Sequence, residues 1–101
     1  MPRKARIDAP GCLHHIIARG IGHQNLFKDN YDRDNFIERL GTIVTETDTT
    51  CYAWSLMPNH FHLLFITGNT PIATVMRRLL TGHAIHFNSR HRRSGHLFQN
   101  L

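Results

Sequence analysis

Along the chain the apolar residues move between two spacings, alternation and the three-and-four rhythm of a helical face, and Gly, Pro and Asn mark the changes. After Pro10-Gly11, the run Cys12-Leu13-His14-His15-Ile16-Ile17-Ala18 is rich in β-formers and stops at Gly20, which predicts a first strand. Gly20 to Asn25 is a polar, Gly-rich loop. From about Asn30 to Thr47, Phe36, Ile37, Leu40, Ile43 and Val44 line one face of a helix, with Asp29, Asn30 and Asp32 available to cap its start. Thr49 to Leu56 has the content of a strand, Met57-Pro58-Asn59 reads as a turn, and His60 to Thr67 resumes as a second strand of a hairpin. A second helix is predicted over about 71–89, with Thr70 as N-cap and Pro71 in the first helical position. Its apolar face carries Ile72, Val75, Met76, Leu79, Leu80, His83 and Phe87, so His83 is expected to pack rather than to ligate. His96-Leu97-Phe98-Gln99 begins a further strand that the chain barely completes.

The order strand, helix, strand, strand, helix, short strand is that of an α+β fold: a ferredoxin-like antiparallel sheet, the split βαβ pattern, with two helices on one face and the last strand incomplete. In it the first and third strands are central and the terminal fragment supplies an edge. A chain of 101 residues supports one core, so residues 1–101 are expected to form a single domain. Trp54 is expected within that core.

No apolar run approaches the ~20 residues of a membrane span, and no secretory signal is visible at the N-terminus, so the expected compartment is the cytoplasm. Cys12 and Cys51 lack CxxC partners and read as free thiols filling small spaces. The net charge of +5 is unevenly placed. Residues 21–49 hold most of the acids, whereas residues 50–101 hold Arg77, Arg78, Arg90, Arg92 and Arg93 and no acid at all. Guanidinium groups hold phosphate oxygens through paired hydrogen bonds, so these arginines, with Arg19 from the first strand, are candidate DNA contacts; a basic solvated face is the alternative. Phe98 or Trp54 could stack a base.

Two of the nine histidines stand as His60-Phe61-His62 on a predicted central strand. Residues two apart on a strand share a face, so the two imidazoles stand side by side and can share one metal ion, while Phe61, Leu63 and Phe65 pack into the other face. His15 on the neighbouring central strand is a candidate ligand or polar neighbour, and Asn59 in the turn is close enough to orient a ligand.

The string Tyr52-Ala53-Trp54-Ser55-Leu56-Met57-Pro58-Asn59-His60-Phe61-His62-Leu63-Leu64 resembles the HUH motif of the REP-associated tyrosine transposases and their insertion-sequence relatives, which process single-stranded DNA. Pro10-Gly11 with His15 and Arg19-Gly20 resembles that family's opening strand. Met76 to Gly82 resembles its helix, and Phe87-Asn88 through Gln99 the segment that follows. The resemblance implies a divalent ion, Mg2+ or Mn2+, held by His60 and His62 with one further polar ligand. It also implies a DNA partner, single-stranded or hairpin, that is cleaved and rejoined through a 5′ phosphotyrosine. In the family the nucleophilic tyrosine lies on a helix after the final strand. Tyr31 and Tyr52, the only tyrosines here, match no such position. The expectation is therefore a transposase-like chain without its nucleophile, truncated at the C-terminus, that keeps metal and DNA binding. A hairpin-binding remnant needing no metal, and a metal-dependent nuclease using water, are the alternatives. Exposed sheet edges would favour a homodimer by strand pairing.

Overall fold

The computed structural model describes residues 9–99. Its elements run β1 (Leu13–Arg19), a short 3-10 turn (Ile21–His23), α1 (Asn30–Glu46), β2 (Thr50–Met57), β3 (His60–Ile66) and α2 (Ile72–Arg90). The strands form one antiparallel sheet in the order β1-β3-β2. Two helices on one face of an antiparallel sheet is the α+β architecture that the spacing predicts.

Strict alternation gives the sheet two chemically distinct faces. His14, Ile16 and Ala18 of β1 and Phe61, Leu63 and Phe65 of β3 are buried, and the residues between them are not. Against the buried face pack Phe36, Leu40 and Ile43 from α1 and Val75, Met76, Leu79 and Phe87 from α2. Phe61 lies at the centre, its ring 4.8 Å from that of Phe36 and 6.1 Å from that of Phe98. Each such side chain contributes about 1.5–3 kcal/mol on burial, and Phe61 is fully buried. His83 is fully buried in this aromatic cluster, as its place in the helical pattern requires, and its Nε2–H donates to the Leu26 carbonyl at 2.7 Å. Burial pushes its pKa down to about 4, against the opposing pull of that carbonyl, so the ring is neutral at pH 7.

Two expectations are corrected. Thr70 does not cap α2. The helix begins one residue later, with Pro71 as the extended N-cap residue whose carbonyl receives the N–H groups of Thr74 and Val75. Trp54 is not core. It stands opposite the inward-facing Leu63 but is 55% exposed, because β2 is the outer strand and has a neighbour on one side only. The terminal strand reduces to a single bridge between Gly20 and Phe98, supported by Gln99 N–H to Arg19 O at 2.8 Å and Ile21 N–H to Leu97 O at 2.9 Å. It lies on the β1 side, where the fourth strand of a split βαβ sheet would lie, yet no fourth strand forms among the described residues. Cys12 and Cys51 are free and half-buried. No helix among the described residues is long and apolar enough to cross a membrane.

Candidate functional site on the open sheet face

Among the described residues no helix covers the second face of the sheet, and strand register dictates its chemistry. Antiparallel pairing sets Arg19 opposite His60 and Met57 beyond it; Ile17 faces His62 with Ser55 beyond; and the position of His15 faces Leu64 with Ala53 beyond. His60 and His62 therefore share one face, half exposed, with ring centroids 5.3 Å apart and planes at 77°. His15 reaches His62 diagonally across the β1–β3 pair, the distance at which cross-strand aromatic side chains still meet. Its Nε2 lies 3.3 Å from His62 Nδ1, with ring centroids 5.5 Å apart and planes within 25°. His60 Nδ1–H donates to Asn59 Oδ1 at 3.0 Å.

The turn that carries these residues is tied down from both sides. Gly20 N–H donates to the Asn59 carbonyl at 2.9 Å, and Leu26 N–H to the Pro58 carbonyl at 2.7 Å. Gly20 has to be glycine, since a Cβ there would stand 1.9 Å from the Gln24 carbonyl oxygen. The loop after β1 can fold close against the histidines only because nothing projects from that position. Beside His62 the small side chains of Ala53 and Ser55 leave a shallow apolar depression of about 390 Å³, bordered by His15, His62 and Leu64. Pattern reading finds the histidines but misses this shelf, whose only signal is two small residues alternating on an outer strand.

Among the described residues no group of three or more His, Cys, Asp or Glu side chains is arranged to hold a metal ion. The donors on this face are imidazoles with the neutral oxygens of Ser55 and Asn59 beside them, and Arg19 stands across from His60.

The six arginines do not assemble on this face. Arg19 alone stands opposite His60. Arg77 and Arg78 lie on α2, behind the sheet, with Arg77 exposed and Arg78 ion-paired to Glu46 at 2.5 Å. Arg90 is held by Asp29, through two hydrogen bonds of 2.6 and 2.8 Å, and by Asp32 at 2.8 Å. Arg93 donates to Asn88 Oδ1 and to the His96 carbonyl, while Arg92 is exposed with a left-handed backbone.

Sequence reasoning treats Asp29 and Asp32 as helix caps and misses the node they build. Asp29 does cap α1, accepting from Asp32 N–H. The Asp32 carboxylate is fully buried and accepts from Lys28 N–H, His91 Nε2–H, Arg90 and, at 3.3 Å, His86 Nε2–H. Burial drives its pKa up, but the Lys28 N–H, His91 and Arg90 outweigh it and hold the carboxyl well below the usual range. The node joins the start of α1 to the end of α2. Tyr31, 57% exposed, stacks on His86 and lies under Arg90, 4.6 Å from ring centre to guanidinium. Tyr52 sits in the β-bulge between Cys51 and Ala53, level with Phe65 and Leu64 rather than with His60.

Residues 9–100 match the family described as "Transposase IS200 like". The chain belongs to the IS200-like transposases. Two solved transposase structures carry the same fold. The REP-associated tyrosine transposase bound to a REP hairpin superposes with a TM-score of 0.77 at 12% identity, over 100% of this chain and 59% of that one. A crystal structure described as a transposase from Deinococcus radiodurans R1 gives a TM-score of 0.64 at 22% identity, over 87% and 68% of the two chains. This IS200-like chain thus spans about three-fifths of the length of the hairpin-bound relative. No functionally curated protein matches the sequence.

Proposed function

We propose that this IS200-like transposase chain binds single-stranded or hairpin DNA on its open sheet face and holds a divalent ion there with His60 and His62, acting on cytoplasmic DNA as an HUH unit. One observation carries the reading: two adjacent imidazoles on the uncovered face of a central strand, with Arg19 directly across from His60. The REP hairpin bound by the first structural relative supports the DNA partner. The donor set fits an ion held by few protein atoms. Mn2+, which accepts imidazole nitrogen, suits it better than Mg2+, which demands oxygen, and the remaining positions are open to water and phosphate oxygen. When bound, the ion supplies Lewis-acid polarisation of a phosphate oxygen.

The chain's own residues do the rest. Arg19 places a guanidinium where a neighbouring phosphate needs its charge met. The apolar shelf at Ala53 and Ser55 offers an unstacked base a surface next to that phosphate. Of the other arginines, Arg92 is exposed and extends the positive surface, Arg77 adds charge on the helix side of the sheet, Arg78 and Arg90 are offset by the carboxylates that hold them, and Arg93 is engaged within the protein. The outer edge of β2, uncharged from Thr50 to Met57, is the edge through which a homodimer would pair. Covalent cleavage needs a nucleophile at the histidine pair. Neither Tyr31, under Arg90, nor Tyr52, in the bulge, is placed there, so these residues by themselves bind the strand without forming an adduct.

A second reading, hairpin binding that needs no metal, is favoured by the want of a third protein ligand among the described residues. Fluorescence anisotropy of a labelled hairpin with a single-stranded foot separates the two. The first reading predicts that Mn2+ tightens binding in the wild type and not in His60→Ala/His62→Ala. Equal affinity with and without Mn2+ in both proteins would establish the second. On a denaturing gel neither predicts a covalent adduct.

A further inference from the structure

We propose that Asn59 and His15 are the positioning residues of this face: each engages the Nδ1 of one imidazole of the pair, so that both His60 and His62 present a bare Nε2 outward. The inference rests on the reading of His60 and His62 as the ion-holding pair and adds what sets their tautomers.

A neutral imidazole carries one proton and can offer a lone pair from only one ring nitrogen, and the partner of the other nitrogen decides which. Asn59 Oδ1 can only accept. At 3.0 Å it requires the His60 proton on Nδ1, which leaves Nε2 as the lone pair. At His62 the same nitrogen, Nδ1, lies 3.3 Å from His15 Nε2. The centroid separation of 5.5 Å exceeds this contact by about two ring radii, and the planes differ by only 25°. The two rings therefore lie end to end, nearly coplanar, with each nitrogen's in-plane orbital aimed at the other. The contact admits two proton placements, and the one assigned here puts the His15 proton on Nδ1, so that His15 accepts from His62 Nδ1–H and His62 Nε2 is bare. In this assignment two unrelated elements, the β2–β3 turn through Asn59 and the strand β1 through His15, give both members of the pair the same tautomer. Such partners fix ring orientation and raise ligand basicity, and losing one costs about 10–100-fold in metal affinity.

Long-range 1H–15N spectra of the histidine rings in the metal-free protein read the tautomers directly. Wild type should show the Nδ1–H pattern at both His60 and His62. Asn59→Leu should change His60 alone and His15→Ala should change His62 alone. Asn59→Asp and His15→Gln, which keep an acceptor oxygen, should restore each pattern. His15 is exposed and Asn59 half-exposed, so these variants should melt with the wild type. Mn2+ affinity should fall about 10–100-fold in Asn59→Leu and His15→Ala and recover in the conservative variants. An Nε2–H pattern at His62 in the wild type, or ring signals indifferent to these substitutions, would overturn the assignment even if Mn2+ binds. The expected tautomers in a protein that binds no Mn2+ would keep the assignment and sink the metal reading instead.

Discussion

The molecule holds two histidine clusters that face opposite problems. On the open face His62 meets both His15 and His60, and His60 meets Asn59, with no carboxylate bonded to these rings among the described residues. At the junction of the two helices His86 and His91 converge on the buried Asp32 together with Arg90, and His83 packs nearby among phenylalanines. A histidine beside a buried carboxylate has its nitrogen engaged in holding the fold. A histidine whose neighbours are another imidazole and an amide keeps one nitrogen to offer a ligand. The difference lies in the neighbours, so the histidine count says little until the fold has distributed the rings.

This contrast can be broken from either side. The largest effect expected is on stability at the helix junction. Asp32→Ala strips the carboxylate from His91 and His86, removes one of the two that hold Arg90 and leaves Lys28 N–H unmet, and should cost about 3–5 kcal/mol in urea unfolding. His60→Ala/His62→Ala, on a half-exposed surface, should change stability by no more than about 1 kcal/mol. Comparable losses in the two variants would erase the distinction between the clusters.

Next in size is a pH effect from His83. The unfolded chain protonates this ring near 6.5, the fold only near about 4. Between those values the unfolded state binds more protons. The stability that the neutral ring supports is therefore complete above about pH 6.5 and falls as pH drops toward 4, by as much as about 3 kcal/mol. Asp32, with its pKa held below the usual carboxylate range, keeps its contribution through this window and loses it only in stronger acid. Unfolding free energies at pH 7 and pH 4.5 should therefore differ in the wild type and converge in His83→Leu. A slope that survives the substitution would assign the effect elsewhere.

Smaller again is the electrostatic effect at the open face. Arg19→Ala should weaken hairpin binding for every sequence and lower the salt slope of the affinity by about one. Arg90→Ala, whose guanidinium is already committed to Asp29 and Asp32, should weaken folding rather than binding. The smallest effect is at Trp54, where Trp54→Ser should stay within about 0.5 kcal/mol of the wild type. A loss of several kcal/mol would return that ring to the core.

Much of this was legible in the sequence because periodicity reports burial. The alternation in Leu13–Arg19 and His60–Ile66 fixes which histidines share a face, and helical spacing places His83 inside. Trp54 misleads because its strand is an outer one, a fact of sheet order that no local pattern records. Thr70 misleads because Pro71, with its fixed φ, is itself an adequate N-cap residue. The Asp32 node is invisible because the side chains that meet its carboxylate lie more than fifty residues further along the chain. The arginines are legible as charge but not as contacts, since a guanidinium's partner depends on which carboxylate the fold brings to it.

The claim on which the account turns is that His60 and His62 act together on one ion. Titration of Mn2+ into the metal-free protein, followed by the electron paramagnetic resonance signal of the free ion, tests it most directly. One Mn2+ should bind in the wild type and none in His60→Ala/His62→Ala, with unfolding curves that overlay. Undiminished binding in the double variant, or none in the wild type, would contradict it.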